Sequence, residues 1–157
     1  MTFLDKFCLN KAKVKVIFLD IDGVMNHEHS EEDMDSNCLY ELKQIVDVTG
    51  AKIVLTSSWR VYFLRGDDNP MKNYFEKRLK LFGMEIYDVT PNIGIGKRAT
   101  EIKTWLKQHK EVSSFVILDD CMFPGFAKWK DRICLTNWSE GGLTRKYREQ
   151  AIEILNG

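Results

Sequence analysis

Three runs in this chain stay apolar between their ends: KVIFLD at 15–20, KIVLTS at 52–57 and SFVILD at 114–119. A strand with one face in water alternates apolar and polar residues. These runs do not, so both faces of each are expected to be buried, as in the inner strands of a parallel sheet covered by helices. Segments with helical spacing separate them. Over 36–48 the apolar residues Leu39, Leu42, Ile45 and Val46 recur on one side, and Gly50 supplies the stop. Residues 71–82 end at Gly83, and 98–108 carry Ile102, Trp105 and Leu106 on one face. Short strands are expected at 85–89 and 132–136 and a closing helix at 144–155, while 59–69 has no decisive pattern. Strands alternating with helices in this way predict a three-layer, Rossmann-like α/β domain with a mostly parallel sheet.

With 157 residues, the chain fits a single domain over 1–157, in which 1–13 form an N-terminal extension. Its 23 basic and 23 acidic side chains cancel, which argues against a nucleic-acid coat protein and leaves room for a local basic patch. Cys8, Cys38, Cys121 and Cys134 form no C-x-x-C pair and have no histidine at zinc spacing, as expected of reduced thiols in a cytoplasmic protein. The opening MTFLDKFCLNKAKVK lacks the apolar core of a signal peptide. No run approaches the ~18 apolar residues of a membrane span, so no membrane partner is expected.

In parallel α/β sheets the ligand lies beyond the carboxyl ends of the strands. Chemistry-bearing residues collect there. Asp20 and Asp22 follow the first run, Thr56 and Ser57 the second, and Asp119 and Asp120 the third, while Lys97 stands on the loop entering the helix at 98. A turn at Asp22–Gly23 would account for one acid, but not for acids and hydroxyls at three strand ends together. In TSSWR, Trp59 and Arg60 follow the second run directly. Arg60 offers a planar fork of donors for a second phosphate, and Trp59 a stacking face for a base. The bland alternatives are a core tryptophan and a surface arginine. Arg98 is a further candidate for contact with substrate.

FLDIDGVMN, IVLTSS, the lysine of IGKRATEI and VILDD resemble, in that order, the four motifs of the haloacid dehalogenase (HAD) superfamily of phosphotransferases. The resemblance runs from Lys15 to about Leu155. TSSWR, with GLT at 142–144, is similar to one branch, the HAD domains of Swiss Army Knife RNA repair proteins. The resemblance implies that Asp20 attacks phosphorus to form an aspartyl-phosphate and that Asp22 is the acid/base partner. It implies that Thr56 hydrogen-bonds the phosphoryl group, with Ser57 as the alternative one residue along, and that Lys97 neutralises its charge. It also implies a Mg2+ cofactor, which prefers oxygen ligands, held by Asp20, the backbone carbonyl of Asp22 and an acid of the fourth motif. Asp119 is the first choice for direct ligation. Asp120 then binds through water or caps a turn.

The stretches 23–55 and 57–96 are largely taken up by core helices and a strand, so a minimal cap or none is expected. An open site suits a bulky phosphorylated substrate, such as a nucleic-acid end, a nucleotide or a phosphoprotein, and also admits small metabolite esters. A catalytically silent HAD-fold binding or regulatory module is the alternative to an enzyme, and intact Asp20 and Asp22 speak against it. PNIGIGKR superficially resembles a P-loop, but has Pro91 where glycine is required and Arg98 where Ser or Thr is required. A response-regulator receiver places its lysine last, whereas Lys97 precedes the final acid pair. His27 and His29, among Glu28, Glu31 and Glu32, read as a solvated loop rather than a metal site.

Overall fold

A computed structural model describes residues 12–66 and 68–157. Cys8 and nearly all of the expected N-terminal extension lie outside the described residues. β1 (Val14–Leu19) is the middle strand. Val16, Ile17, Phe18 and Leu19 have no solvent exposure, as the unalternating run requires. It pairs in parallel with β2 (Lys52–Leu55) on one side and β4 (Val112–Asp119) on the other. β3 (Ile86–Val89) and β5 (Ile133–Leu135) form the edges, in the order β3-β2-β1-β4-β5. All four pairings are parallel.

Helices cover both faces. α1 (Ser36–Thr49), α3 (Pro70–Leu81) and α5 (Arg145–Asn156) pack on the face of Ile17 and Leu19, through Leu39, Leu42, Phe75, Leu79 and Ala151 among others. α4 (Arg98–Gln108) covers the opposite face, where Ala99, Ile102 and Trp105 meet Val16, Phe18, Val54 and Ile117. A large aliphatic or aromatic side chain removed from water this fully contributes about 1.5–3 kcal/mol, so the two apolar layers fix which way each strand faces. The undecided 59–69 stretch contains α2 (Arg60–Leu64), too short to have shown a helical period in sequence. Among the described residues no separate cap domain stands over the strand ends. The loop 20–35 is built of turns, and α2, α3 and β3 fill the way from β2 to α4.

Candidate active site

Register brings the acids together. Leu19 of β1 aligns with Leu118 of β4 and with Leu55 of β2, so Asp20, Asp119 and Thr56 follow side by side at the carboxyl ends of the three inner strands. The ladder continues past the strands: Asp20 N–H donates to the Leu118 carbonyl at 3.0 Å and Thr56 N–H to the Leu19 carbonyl at 2.9 Å. Side chains two apart share a face. Asp20, Asp119 and Thr56 stand two beyond Phe18, Ile117 and Val54, all of which lie under α4. The first residue of α4 is Arg98, and its guanidinium closes the group. One Nη1 atom lies 2.6 Å from Asp119 Oδ2 and 3.0 Å from Asp20 Oδ2.

The cluster is buried and carries more acid than the arginine balances. Asp119 has no exposure and Asp20 is 5% exposed. Burial, then the neighbouring Asp20 charge, pushes the Asp119 carboxyl up to about 7 against the pull of Arg98. Burial likewise raises Asp20, opposed by Arg98, the Ile21 N–H and a hydrogen bond from the Ser57 side chain. Asp120 is half-buried and lies against Gly23, where any Cβ would stand 2.2 Å from its Oδ2. With φ near 76° as well, position 23 accepts only glycine. Asp119, Asp120 and Cys121 offer ligand atoms within 4.8 Å of one another. Partial burial and then Asp120 raise the Cys121 thiol, and the carboxylate oxygens are the hard donors of this group. Asp20, Asp119 and Asp120 at adjacent strand ends, with one arginine among them, therefore suit a hard divalent cation.

Asp22 sits apart from this buried group, exposed on the turn that follows β1. Trp59 Nε1–H donates to its Oδ2 at 2.9 Å, and Asn26 Nδ2 donates to its Oδ1 at 3.2 Å. The C-terminal GLT segment braces this turn from behind. Leu143 N–H donates to the Val24 carbonyl at 2.8 Å, and a Cβ on Gly142 would stand 2.8 Å from the same oxygen. Thr136 Oγ1 donates to the Gly23 carbonyl at 2.7 Å.

The expected site residues do not all reach the acids. Lys97 is exposed at the cap position of α4, and it is Arg98 that reaches the acids. Successive helical residues point about 100° apart, so only one of the two can face the sheet. Arg60 is not free to grip a phosphate. It is 5% exposed, and its guanidinium donates to the carbonyls of Thr56 (2.7 Å) and Ser57 (3.1 Å), to Asn92 (3.2 Å) and to Glu101 (2.7 Å). Trp59 is half-buried and its ring packs against Phe75 and Tyr62, with centroids at 4.8 and 5.6 Å, so its contacts are with the core and with Asp22. Thr56 Oγ1 is buried without a hydrogen-bond partner among the described residues, while Ser57 touches Asp20. The loop at 27–35 is not simply solvated: half-buried His27 lies 3.4 Å from Asp35, beside Cys38. Asp35 already caps α1, and burial, then Asp35, pushes the Cys38 thiol up to about 12, so this trio is poorly prepared to hold a metal. Glu101 and Asn26 went unnoticed in the sequence. Glu101, in the first turn of a helix, looks like an ordinary solvated acid until Arg60 is seen to be buried against it.

Among the described residues, one cleft opens beside Arg98 and another beside Asn26, the partner of Asp22. The first, of about 310 Å3, runs between Val61, Asn92, Ile95 and Phe123. The other, of about 360 Å3, lies on the Asp22 side and is walled by Glu31, Glu32, Asp33, Tyr74 and Trp138.

A parallel sheet flanked by helices, with acids gathered at the carboxyl ends of its inner strands, is the architecture of a HAD-type domain. The family model for the HAD domain in Swiss Army Knife RNA repair proteins matches residues 16–147, and the chain belongs to that family. Over 86 residues the chain is 34% identical to the D-glycero-alpha-D-manno-heptose-1,7-bisphosphate 7-phosphatase of Photorhabdus laumondii subsp. laumondii. That alignment covers 49% of this chain and 47% of the relative, so the match spans about half the length of each. No solved structure gives a significant match. No helix among the described residues is long and apolar enough to cross a membrane.

Proposed function

We propose that this chain is a Mg2+-dependent phosphomonoester hydrolase working through an aspartyl-phosphate on Asp20. The observation that carries this reading is the convergence of Asp20 and Asp119 on one nitrogen of Arg98. In the first step an Asp20 oxygen attacks phosphorus. The ester P–O bond breaks with its electron pair, and the leaving oxygen takes a proton from Asp22. In the second step water attacks the phosphorus, Asp22 takes its proton, and the electrons of the Asp20–phosphorus bond return to the carboxylate. Arg98 offsets the charge of Asp20 and of the incoming phosphoryl group, and Ser57 steers the Asp20 carboxyl. Thr56 Oγ1, partnerless on the Asp20 side of β2, is a donor for a phosphoryl oxygen. Asp20, Asp119, Asp120 and the backbone carbonyl of Asp22 would hold Mg2+, which supplies positive charge against that of the phosphate.

For the substrate we favour a terminal phosphate on a nucleic acid, on the strength of the family match and the open strand ends. The acidic walls on the Asp22 side repel a polyanion, so such a chain would leave past Arg98 and exposed Lys97 and Ile95. The heptose bisphosphate phosphatase relative supports a second reading, a small sugar phosphate. Phosphate release from 4-nitrophenyl phosphate should require Mg2+ and fall by at least about 10⁴-fold in Asp20→Asn. Undiminished turnover in that variant sinks the mechanism. Comparing kcat/KM for 3′- and 5′-phosphorylated oligonucleotides, mononucleotides, phosphopeptides and sugar phosphates decides the substrate. A clear preference for sugar phosphates removes the nucleic-acid assignment and leaves the hydrolase standing.

A further inference from the structure

An exposed carboxylate on a turn ordinarily samples several rotamers, yet both oxygens of Asp22 are tied. Trp59 Nε1–H holds Oδ2 at 2.9 Å and Asn26 Nδ2 holds Oδ1 at 3.2 Å. Neither donor is free to wander. Asn26 is buried and fastened at both ends of its amide, accepting from Gly23 N–H at 3.0 Å and donating to the Asp33 carbonyl at 3.0 Å. The Trp59 ring is wedged against Phe75 and Tyr62, and its backbone N–H is held by Ser57 Oγ, next to the nucleophile. An indole N–H only donates, so it cannot take the proton that Asp22 must deliver. A carboxylate oxygen that accepts one N–H still has a lone pair for that proton.

We propose that Trp59 is a positioning residue for Asp22: its indole N–H aims the carboxyl at the leaving oxygen, and the ring does not serve as a platform for substrate. This rests on the acid/base role of Asp22 given above. The same N–H links the second motif to the first, so that the loop carrying Ser57 and the turn carrying Asp22 keep a common geometry.

Trp59→Phe keeps an aromatic ring, though a smaller one, against Phe75 and removes the donor. Proton delivery matters most for a poor leaving group, so an alkyl phosphate and 4-nitrophenyl phosphate are compared through kcat/KM, which reports events up to departure of the leaving group. In Trp59→Phe, kcat/KM is expected to fall about 10-fold for the alkyl ester and less than about 3-fold for the aryl ester, with KM for both within about twofold. Asp22→Asn should show the same inequality on a larger scale. In an Asp22→Asn background, Trp59→Phe should add less than about twofold, because the N–H has nothing left to aim. Equal losses on both esters in Trp59→Phe, beside unequal losses in Asp22→Asn, overturn the positioning role and spare the acid. Equal losses in Asp22→Asn as well overturn the acid and the inference with it. If Trp59→Phe melts early, the double variant still decides: additive losses there contradict action through Asp22. A raised KM for a phosphorylated oligonucleotide at unchanged kcat returns Trp59 to substrate contact.

Discussion

Arg60 and Arg98 stand at the mouths of neighbouring loops, the first buried and the second half-buried, both paired with acids, and in sequence both look like hands for a phosphate. Arg60 spends its guanidinium on one carboxylate and three neutral acceptors, which join the loop after β2 to the loop before α4 through Glu101. Glu101 in turn accepts from the Ile93 N–H at 2.9 Å. Arg98 faces two carboxylates with a single nitrogen. Their titration reflects this. Burial lowers Arg60, and Glu101 does not make good the loss. Burial also works against Arg98, but Asp20 and Asp119 together more than reverse it. A pair with its charges matched one to one holds the frame. A group with surplus acid has charge left over for a cation, which in turn offsets the charge of a phosphoryl group, and that surplus marks the reactive end of the sheet.

This contrast can be broken by experiment. The largest effect is expected from Arg98→Ala, which should lower kcat about 10²–10³-fold, the scale of losing one preorganised donor at developing charge. A loss under about 10-fold would make Arg98 a frame residue like Arg60. Arg60→Ala strands Glu101 as an unpaired buried acid and should cost about 3–5 kcal/mol, a fall in Tm of roughly 6–20 °C. Activity per folded molecule should stay within about fivefold when measured well below that Tm. A Tm near that of the parent with a collapsed kcat would reverse the two assignments.

A pH test separates the clusters further. Asp119 holds its proton up to about 7, whereas in the unfolded chain it ionises near its ordinary 3.8. The folded state therefore binds the extra proton between these values. The metal-free protein should lose stability as pH rises through that window and level off above it. In EDTA, the difference in Tm between the parent and Asp119→Asn should shift with this sign between pH 4.5 and 8. Parallel curves would show that Asp119 titrates normally. The smallest effect belongs to Lys97→Ala, expected within about twofold in kcat/KM for 4-nitrophenyl phosphate, since exposed lysines away from special contacts contribute little. A hundredfold loss would restore Lys97 in place of Arg98.

Much of the frame was legible in sequence because burial on both faces leaves a signature no local exception hides. The runs at 15–20, 52–57 and 114–119 became the three inner strands, and the helix at 98–108 was placed to the residue. The roles of Trp59 and Arg60 were not legible. A buried arginine reads the same as an exposed one until its acceptors are known, and three of the four that Arg60 uses are uncharged oxygens. Asp22 and Trp59 lie far apart along the chain, and only folding brings the indole N–H to the carboxylate.

By itself the sequence determined that Asp20 and Asp119 end buried strands, because an apolar run sealed on both sides can admit charge only where it stops. Tertiary structure alone decided between immediate neighbours: Arg98 rather than Lys97 meets the acids, and Ser57 Oγ accepts from the Trp59 N–H while Thr56 Oγ1 is left without a partner among the described residues. Adjacent residues share composition, propensity and place in a motif. The turn of a helix and the alternation of a strand send them in different directions, and those directions are set by the layers packed on either side.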